Sequence, residues 1–422
     1  MGLEQYQGDM NMCCRCSACK WVPMQRVSGY QFANVCPSIS RFNFHSYSGG
    51  GRMNIGAAML RNEISYTDRL QHIVYNCQMC GACGVSCNYA MDMNVMEPIY
   101  ELRIKCVKDG KTLPALDQTI EGLRKTGSIF PPNGKRGDWA QGLDLKDAAK
   151  DKVAVMLYVG DVTSYDPYLQ KLARATAKIL QKAGVDFGIA GNAEVSSGDR
   201  AYQLGYEEDF LNQARKNMDY INRNGIKTVV TADAESYQAF KVLYDKYKLR
   251  GSLQVLHITE YIRQLIQEGK LKPKNNVDMN VTYHDPCHLG RLGEPWVHWE
   301  GKKVPGDRFV FDPPKQYRRG SNGVYDAPRD VLNSIPGVKL TEMQRIKEYA
   351  WCCGSGGGVG RSNPEFAQWT AQERIDEAET TGAEAIVTAC PWCQKLFNKT
   401  IDDGNSRMKV FDIVELFEQS IE

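Results

Sequence analysis

The spacing of cysteines constrains this chain more than any other feature. Cys13, Cys16 and Cys19 are separated by two residues each and are followed by Cys36-Pro37. Cys77, Cys80, Cys83 and Cys87 repeat the pattern with a last gap of three residues. Towards the other end, Cys287, the adjacent pair Cys352-Cys353 and Cys390-Pro-Trp-Cys393 form a second, different constellation. Each tetrahedral iron of an iron–sulfur cluster takes one terminal thiolate, so thiolates grouped in threes and fours are what such a cluster requires. Structural zinc also accepts four thiolates and is the rival reading. Two triplets, each with a remote fourth cysteine, suit zinc poorly.

The run from Cys77 to Cys87 has the form of a bacterial ferredoxin, with Asn88 where the trailing proline usually stands. In two-cluster ferredoxins the fourth cysteine of each run ligates the other cluster. The expected ligand sets for two cubane [4Fe–4S] clusters are therefore Cys13, Cys16, Cys19 and Cys87, and Cys36, Cys77, Cys80 and Cys83. Cys14 is a possible substitute for Cys13, although it breaks the two-residue spacing. Cys14 and Cys106 are expected to be ordinary buried thiols.

The chain has 422 residues, 42% apolar and 24% charged, with a net charge of +2. These values suit a soluble protein of two or three domains and give no case for nucleic acid. Its first residues are polar, and no stretch approaches the roughly 20 apolar residues that span a bilayer. An odd number of cysteines, fifteen, in C-x2-C patterns fits metal binding in a reducing cytoplasm better than a secreted disulfide framework. Any membrane association is expected to run through a partner.

The expected organisation has a mainly α-helical two-cluster ferredoxin module over 1–110, with a turn at Ser48-Gly-Gly-Gly-Arg52 and helices at 53–75 and within 91–109. A connector covers 111–151, broken at Pro131-Pro132-Asn133-Gly134. From 152 onward strands alternate with helices, which predicts α/β domains with parallel sheets. Strands are expected at Val153–Val159, Lys227–Ala232, 254 onward, Val281–Tyr283, Ala385–Ala389 and Met408–Phe411.

This second half is also repeated internally. The segment Thr228 to Phe240 aligns without a gap on Ala385 to Phe397. Ser196-Ser197-Gly198 falls opposite Cys352-Cys353-Gly354 with a one-residue slip, and Gly160-Asp161 corresponds more loosely to the stretch before Cys287. The copy at 152–272 thus carries Asp161, Ser196, Ser197, Asp233 and Ser236 where the copy at 273–422 carries five cysteines. Hard oxygen groups are poor terminal ligands for cluster iron, so the first copy is expected to keep its fold without a cluster.

Neighbouring side chains on an extended segment point opposite ways, so Cys352 and Cys353 need a sharp turn to face one site. Gly354-Ser-Gly-Gly-Gly358 provides it and lets backbone amides approach sulfur. A dinucleotide loop is a weak reading here, without a preceding strand and a following acidic residue. His284 and His288 flank Cys287, with Asp285 and Arg291 nearby; the histidines are candidates for catalytic proton donors or for structural hydrogen bonds at a strand end. The insertion at 293–322, with Trp296, Trp299, Phe309, Phe311 and Tyr317 among Lys302, Lys303, Arg308, Lys315, Arg318 and Arg319, reads equally as a docking surface or as a packed loop.

Together these residues resemble the cysteine-rich CCG domain family, in which a cysteine, Cys-Cys-Gly and C-x-x-C recur as a tandem pair. A two-cluster ferredoxin module fused to such a pair resembles the D subunit of heterodisulfide reductase. Similar arrangements occur in the DsrK protein of sulfite-reduction membrane complexes, in the C subunit of anaerobic glycerol-3-phosphate dehydrogenase and in the D subunit of class II benzoyl-CoA reductase complexes. The resemblance implies that Cys287, Cys352, Cys353, Cys390 and Cys393 bind one non-cubane [4Fe–4S] cluster. It also implies an anaerobic, multisubunit oxidoreductase with a tungsten, flavin or membrane cytochrome partner. Two departures stand out: the gap from Cys287 to Cys352 is long for the family, and the first copy lacks all five ligands. Electron transfer is the expected function, and thiol–disulfide or persulfide reduction at the single CCG site is the alternative.

Overall fold

The structure, a computed structural model, describes residues 2–421 apart from 92, 132, 133, 298, 308, 309, 315–319 and 405, with residues 88–91, 303 and 311 described by their backbone alone. Its N-terminal region is mainly helical, with helices at Pro37–Phe42, Gly49–Leu60, Asp68–Tyr75, Ala82–Met91 and Met96–Lys108. The two C-terminal repeats are α/β with parallel sheets. In the first, strands β1 (Lys146–Asp147), β2 (Val155–Tyr158), β3 (Phe187–Ile189), β4 (Thr228–Thr231) and β5 (Gln254–His257) lie in the order β1-β3-β2-β4-β5. In the second, β6 (Met279–His284), the short pair β7 (Lys302–Lys303) and β8 (Phe311–Asp312), then β9 (Val338–Leu340), β10 (Ala385–Thr388) and β11 (Lys409–Asp412) follow. There the sheet order is β11-β10-β6-β9, while β7 and β8 form a separate antiparallel ribbon.

Both main sheets are parallel throughout. Their central strands read Val-Met-Leu-Tyr, Thr-Val-Val-Thr and Ala-Ile-Val-Thr, mostly buried. Strands covered by helices on both faces need such near-continuous apolar runs. The register makes the repeat concrete. Tyr158 pairs with Thr231 and His284 with Thr388, while Thr231 pairs with His257 and Thr388 with Asp412. Asp161 and Cys287 therefore each stand three residues beyond equivalent strand ends.

Several expectations need correction. The Ser48-Gly-Gly-Gly-Arg52 segment is not a turn but the start of a helix, capped by the Ser48 hydroxyl, which accepts from Gly51 N at 3.0 Å. The helix expected over 53–75 breaks between Leu60 and Asp68; Asn62 takes a left-handed φ of 56°, and Thr67 caps the second piece by accepting from Leu70 N. The segment expected as a connector carries the helix Pro114–Thr126 and ends in β1, which extends the first sheet. Residues 132 and 133 of its expected break lie outside those described. The strands β1, β3 and β9 were not anticipated. One large apolar core runs through all three regions.

Candidate metal centres

The first cysteine group surrounds one cavity. Cys13, Cys16, Cys19 and Cys87 line it together with Cys14, His45, Gly50, Met53, Met93 and Val95. Cys87 approaches from its own helix, Ala82–Met91. Cys14 is exposed at this cavity and not a buried thiol, whereas Cys106 is fully buried. Left-handed residues at Arg15 (φ 59°) and Ser17 (φ 68°) wind the loop tightly enough to bring alternate thiols to one site.

The second group assembles next to it. Burial pushes the Cys36 thiol up to about 12, and Cys77 and Cys80 are close enough to contribute. Cys83 rises for the same first reason, with Cys36, Cys77, Cys19 and Cys80 all nearby. A cluster of buried thiols without a cation resists ionisation, and bound metal would supply the missing charge. The glycines at the start of Gly49–Leu60 make room for both groups. A Cβ on Gly49 would sit 2.9 Å from Cys83 Sγ, and one on Gly50 would sit 3.0 Å from Cys13 Sγ. A side chain at either position would intrude on the thiols, which fits a cradle that holds a group of atoms there.

The second group also touches the C-terminal constellation. Cys80, Cys287 and Cys352 pack in one buried cluster with Val22, Val35 and Tyr349. Contact with the Cys352 thiol, followed by the charge of Arg291, lowers Cys80 to about 6 against the penalty of burial. Arg291 is 1% exposed. Its Nε donates to Cys80 O at 2.6 Å and its Nη1 to Ala350 O at 2.5 Å, leaving Nη2 without a protein partner. The glycine turn presses on the same place: Cβ atoms on Gly356 and Gly357 would come within 2.3 Å of Gln78 O and 2.2 Å of Cys77 O. Arg103 secures the contact, donating to Gly357 O and Cys77 O, each at 2.8 Å.

In the C-terminal set, the turn brings Cys352 and Cys353 to one site. Gly354, at φ 100°, donates its N–H to Cys352 Sγ at 3.3 Å. Cys353 is held low by contacts with Cys352 and Cys393 against burial, with His284 also contributing. Cys390 immediately precedes the helix Pro391–Asp402, and Cys393 lies in its first turn. Ligand atoms of His284, Cys353 and Cys393 lie within 4.8 Å of one another. Cys287 Sγ is 3.2 Å from His288 Nδ1; burial opposes the His288 imidazolium, but the Cys287 charge outweighs it and raises its pKa.

His284 is held differently. Arg374 Nε donates to its Nδ1 at 3.1 Å. A guanidinium has no acceptor, so Nδ1 must present its lone pair and the ring proton of the neutral imidazole sits on Nε2. Burial lowers the His284 pKa, Cys353 partly opposes this, and Arg374 reinforces it. Arg374 is itself fixed by Glu377 Oε2 at 2.6 Å, which Arg345 Nε also contacts at 2.9 Å; all three side chains are fully buried.

The five aligned residues of the first copy also converge, but as a network of oxygen atoms. Ser236 Oγ donates to Asp233 at 2.5 Å and lies 3.4 Å from Ser197 Oγ, which donates to Asp199 at 2.6 Å. The Arg136 guanidinium occupies the same region, paired with Asp161 and, at 3.2 Å, with Glu194. Burial and Asp199 raise Asp233 to about 7. Arg136 comes from the expected connector, and its role had no sequence signal beyond a lone arginine. The buried roles of Arg374 and Arg103 were equally unmarked, while Arg291 stood out only by its closeness to Cys287 in the chain.

The insertion is partly packed on itself. Trp299 donates its indole N–H to Pro313 O at 2.9 Å across the β7–β8 ribbon. Phe309, Tyr317, Arg308, Lys315, Arg318 and Arg319 lie outside the described residues.

Comparison with known proteins agrees with this geometry. A cysteine-rich CCG domain matches residues 161–239 and again 281–398, so both copies are matched, and a 4Fe-4S dicluster domain matches 9–91. The D subunit of the dihydromethanophenazine:CoB--CoM heterodisulfide reductase of Methanosarcina mazei is 30% identical over 98% of this chain and 94% of its own length. The chain belongs to this family of iron–sulfur proteins. A protein named "Probable iron-sulfur-binding oxidoreductase FadF", from Bacillus subtilis, is 30% identical over 89% of this chain, which spans only 50% of that relative. The EtfAB:quinone oxidoreductase of Syntrophomonas wolfei is 29% identical over 71% of this chain and 37% of its own length. A hypothetical protein from Helicobacter pylori shares the fold alone, with a TM-score of 0.53 and 12% identity over 89% of this chain and 68% of its own. Among the described residues no helix is long and apolar enough to cross a membrane.

Proposed function

We propose that the chain is the electron-transfer subunit of an anaerobic oxidoreductase complex, passing electrons through three iron–sulfur centres in series. Cys13, Cys16, Cys19 and Cys87 would hold one cubane, and Cys36, Cys77, Cys80 and Cys83 the other. Cys287, Cys352, Cys353, Cys390 and Cys393 would hold a non-cubane [4Fe–4S] cluster. The observation that carries this reading is the contiguity of the groups. Cys83 lies beside Cys19, and Cys80 packs against Cys287 and Cys352.

When bound, the clusters supply one-electron redox chemistry at potentials set by hydrogen bonds and burial. The chain's own residues do the tuning. Arg291 places a buried positive charge between the second and third groups. Gly354 N–H faces Cys352, and His284 sits beside Cys353 and Cys393 with no hydrogen-bond partner on its Nε2 among the described residues. Because Arg374 Nε donates to its Nδ1, His284 keeps its ring proton on Nε2 and serves as a fixed hydrogen-bond donor. This favours electron transfer over disulfide reduction at the single CCG site. The first copy, filled by Arg136 and its carboxylates, is structural.

Relatives named as heterodisulfide- and quinone-acting oxidoreductases support a place in a larger redox assembly, with a tungsten, flavin or cytochrome protein as partner. The chain would work in the reducing cytoplasm and reach a membrane only through such a partner. Anaerobic purification with iron analysis, Mössbauer spectroscopy and electron paramagnetic resonance tests this. Roughly twelve irons per chain are expected, with two cubane signals and one distinct four-iron signal; absence of reducible cubanes would sink the proposal.

A further inference from the structure

Between Asp9 and Glu63 the chain carries no acidic residue, while Arg15, Lys20, Arg26, Arg41, Arg52 and Arg61 all fall there. Since Lys and Arg total 52 against 50 Asp and Glu, the rest of the chain is net acidic. The acid-free stretch contains the whole first triplet. Some of its cations are spoken for: Arg52 is buried, Arg41 pairs with Glu365 and Arg61 with Glu63. Arg15 and Lys20 have no carboxylate partner among the described residues, and Arg15 itself lines the first cavity. Arg26 reaches Glu348 only at 4.0 Å and stays largely exposed.

The same segment holds most of the exposed large apolar side chains. Met12, Trp21, Met24, Tyr30 and Phe44 are exposed, Tyr30 by 86% and Phe44 by 66%. Cys14 and Cys16 of the same segment are exposed too. Large apolar groups exposed on a segment that carries cations and no acidic residue of its own mark a contact site. The charge selects the partner, because complementary potentials steer encounter and a basic partner would be repelled.

We propose that this face is the docking surface for a small acidic electron-carrier protein, which delivers electrons to the first cysteine group. The proposal rests on the electron-transfer reading above. In the step, the carrier is oxidised by one electron and the first centre is reduced by one; no covalent bond forms or breaks.

The test uses the anaerobically purified whole chain and reduced acidic flavodoxin as the probe, with cluster reduction followed by stopped-flow absorbance. The second-order rate constant is expected to fall at least tenfold between about 0.02 and 0.3 M salt, as screening shortens the reach of the surface charges. Lys20→Glu with Arg26→Glu should lower it by a similar factor at low salt, and Met24→Glu should lower it independently. Lys302→Glu on the β7–β8 ribbon should leave it unchanged. Cubane signals and reduction by dithionite should be normal in every variant. A rate indifferent to salt and to these substitutions, a loss confined to Lys302→Glu, or no transfer from flavodoxin while dithionite reduces the clusters would overturn the docking face alone. Missing cubane signals in the unmodified chain would instead overturn the electron-transfer reading.

Discussion

The two α/β repeats carry the same backbone and hold opposite chemistry at its centre. Equivalent strand ends place Tyr158 opposite His284 and His257 opposite Asp412. Each copy turns through a left-handed glycine, Gly198 at φ 80° and Gly354 at φ 100°. Into this common frame the second copy sets five thiols, and the first sets Asp161, Ser196, Ser197, Asp233 and Ser236 around the Arg136 guanidinium. Where the second copy sets thiols, a buried cation and its carboxylates fill the first. A parallel sheet with a glycine turn is thus a holder whose contents can change while its strands stay in register.

The largest effect that can break the comparison comes from Cys353→Ser. It should remove the third centre, about a third of the iron, while both cubane signals persist. Ser197→Ala, the matching change in the first copy, should leave iron unchanged. Iron loss from the first copy's variant would show that it holds a centre after all.

Next in size is Arg136→Met. It strands Asp161 and Glu194 as buried, unpaired carboxylates, and breaking a buried ion pair costs about 3–5 kcal/mol. Chemical denaturation should show that loss with iron content unchanged. If stability holds, the guanidinium is not what replaced the cluster.

A pH effect of about 2 kcal/mol is expected from His257, the first copy's counterpart of Asp412. Burial lowers its pKa to about 3, against about 6.5 in an unfolded chain. The folded state keeps this imidazole neutral while the unfolded state protonates it below pH 6.5. Its contribution is therefore complete above that pH and is lost progressively as pH falls towards 3, by about 2 kcal/mol at pH 5. Comparing the native chain with His257→Gln cancels the opposing carboxylates, so the gap in unfolding free energy should shrink by this amount between pH 7.5 and 5. A constant gap would mean that the imidazole finds its proton in the fold.

How much of this was legible beforehand follows from what leaves a pattern. Cysteine spacing is a covalent signature: the structure gathers Cys13, Cys16, Cys19 and Cys87 around one cavity, and sets Cys80 of the second run against Cys287 and Cys352 as well. The repeat was readable because Thr228–Phe240 and Ala385–Phe397 align without gaps. Strands such as Phe187–Ile189 and Val338–Leu340 are too short to show an alternating period. Ser48-Gly-Gly-Gly read as a turn because glycine usually marks one; here it starts a helix, and its reason is steric closeness to Cys13 and Cys83. Arg136 and Arg374 left nothing to find, since a single arginine has no periodicity and its burial depends on partners distant in sequence; Arg291 was marked only by its nearness to Cys287 in the chain.

The smallest expected effects sharpen how the second copy tunes its centre. Arg291→Met removes a buried cation whose Nη2 has no protein partner. A nearby positive charge favours the reduced, more negative state, so potentials of the adjoining centres should fall, on the order of 60 mV for a tenfold change in a one-electron equilibrium. Arg374→Leu should shift the potential less, because it removes no contact to sulfur. What it removes is the donor that forces the His284 proton onto Nε2. In the native chain, pulsed electron paramagnetic resonance should find an exchangeable proton coupled to the third centre, lost on transfer to deuterated water and absent in His284→Phe. In Arg374→Leu that coupling should weaken as the imidazole gains access to its other tautomer, while iron content and cubane signals hold. A coupling that stays at full strength would show that the sulfurs themselves orient the histidine, and that the buried Arg374–Glu377–Arg345 network supports the fold without addressing the centre.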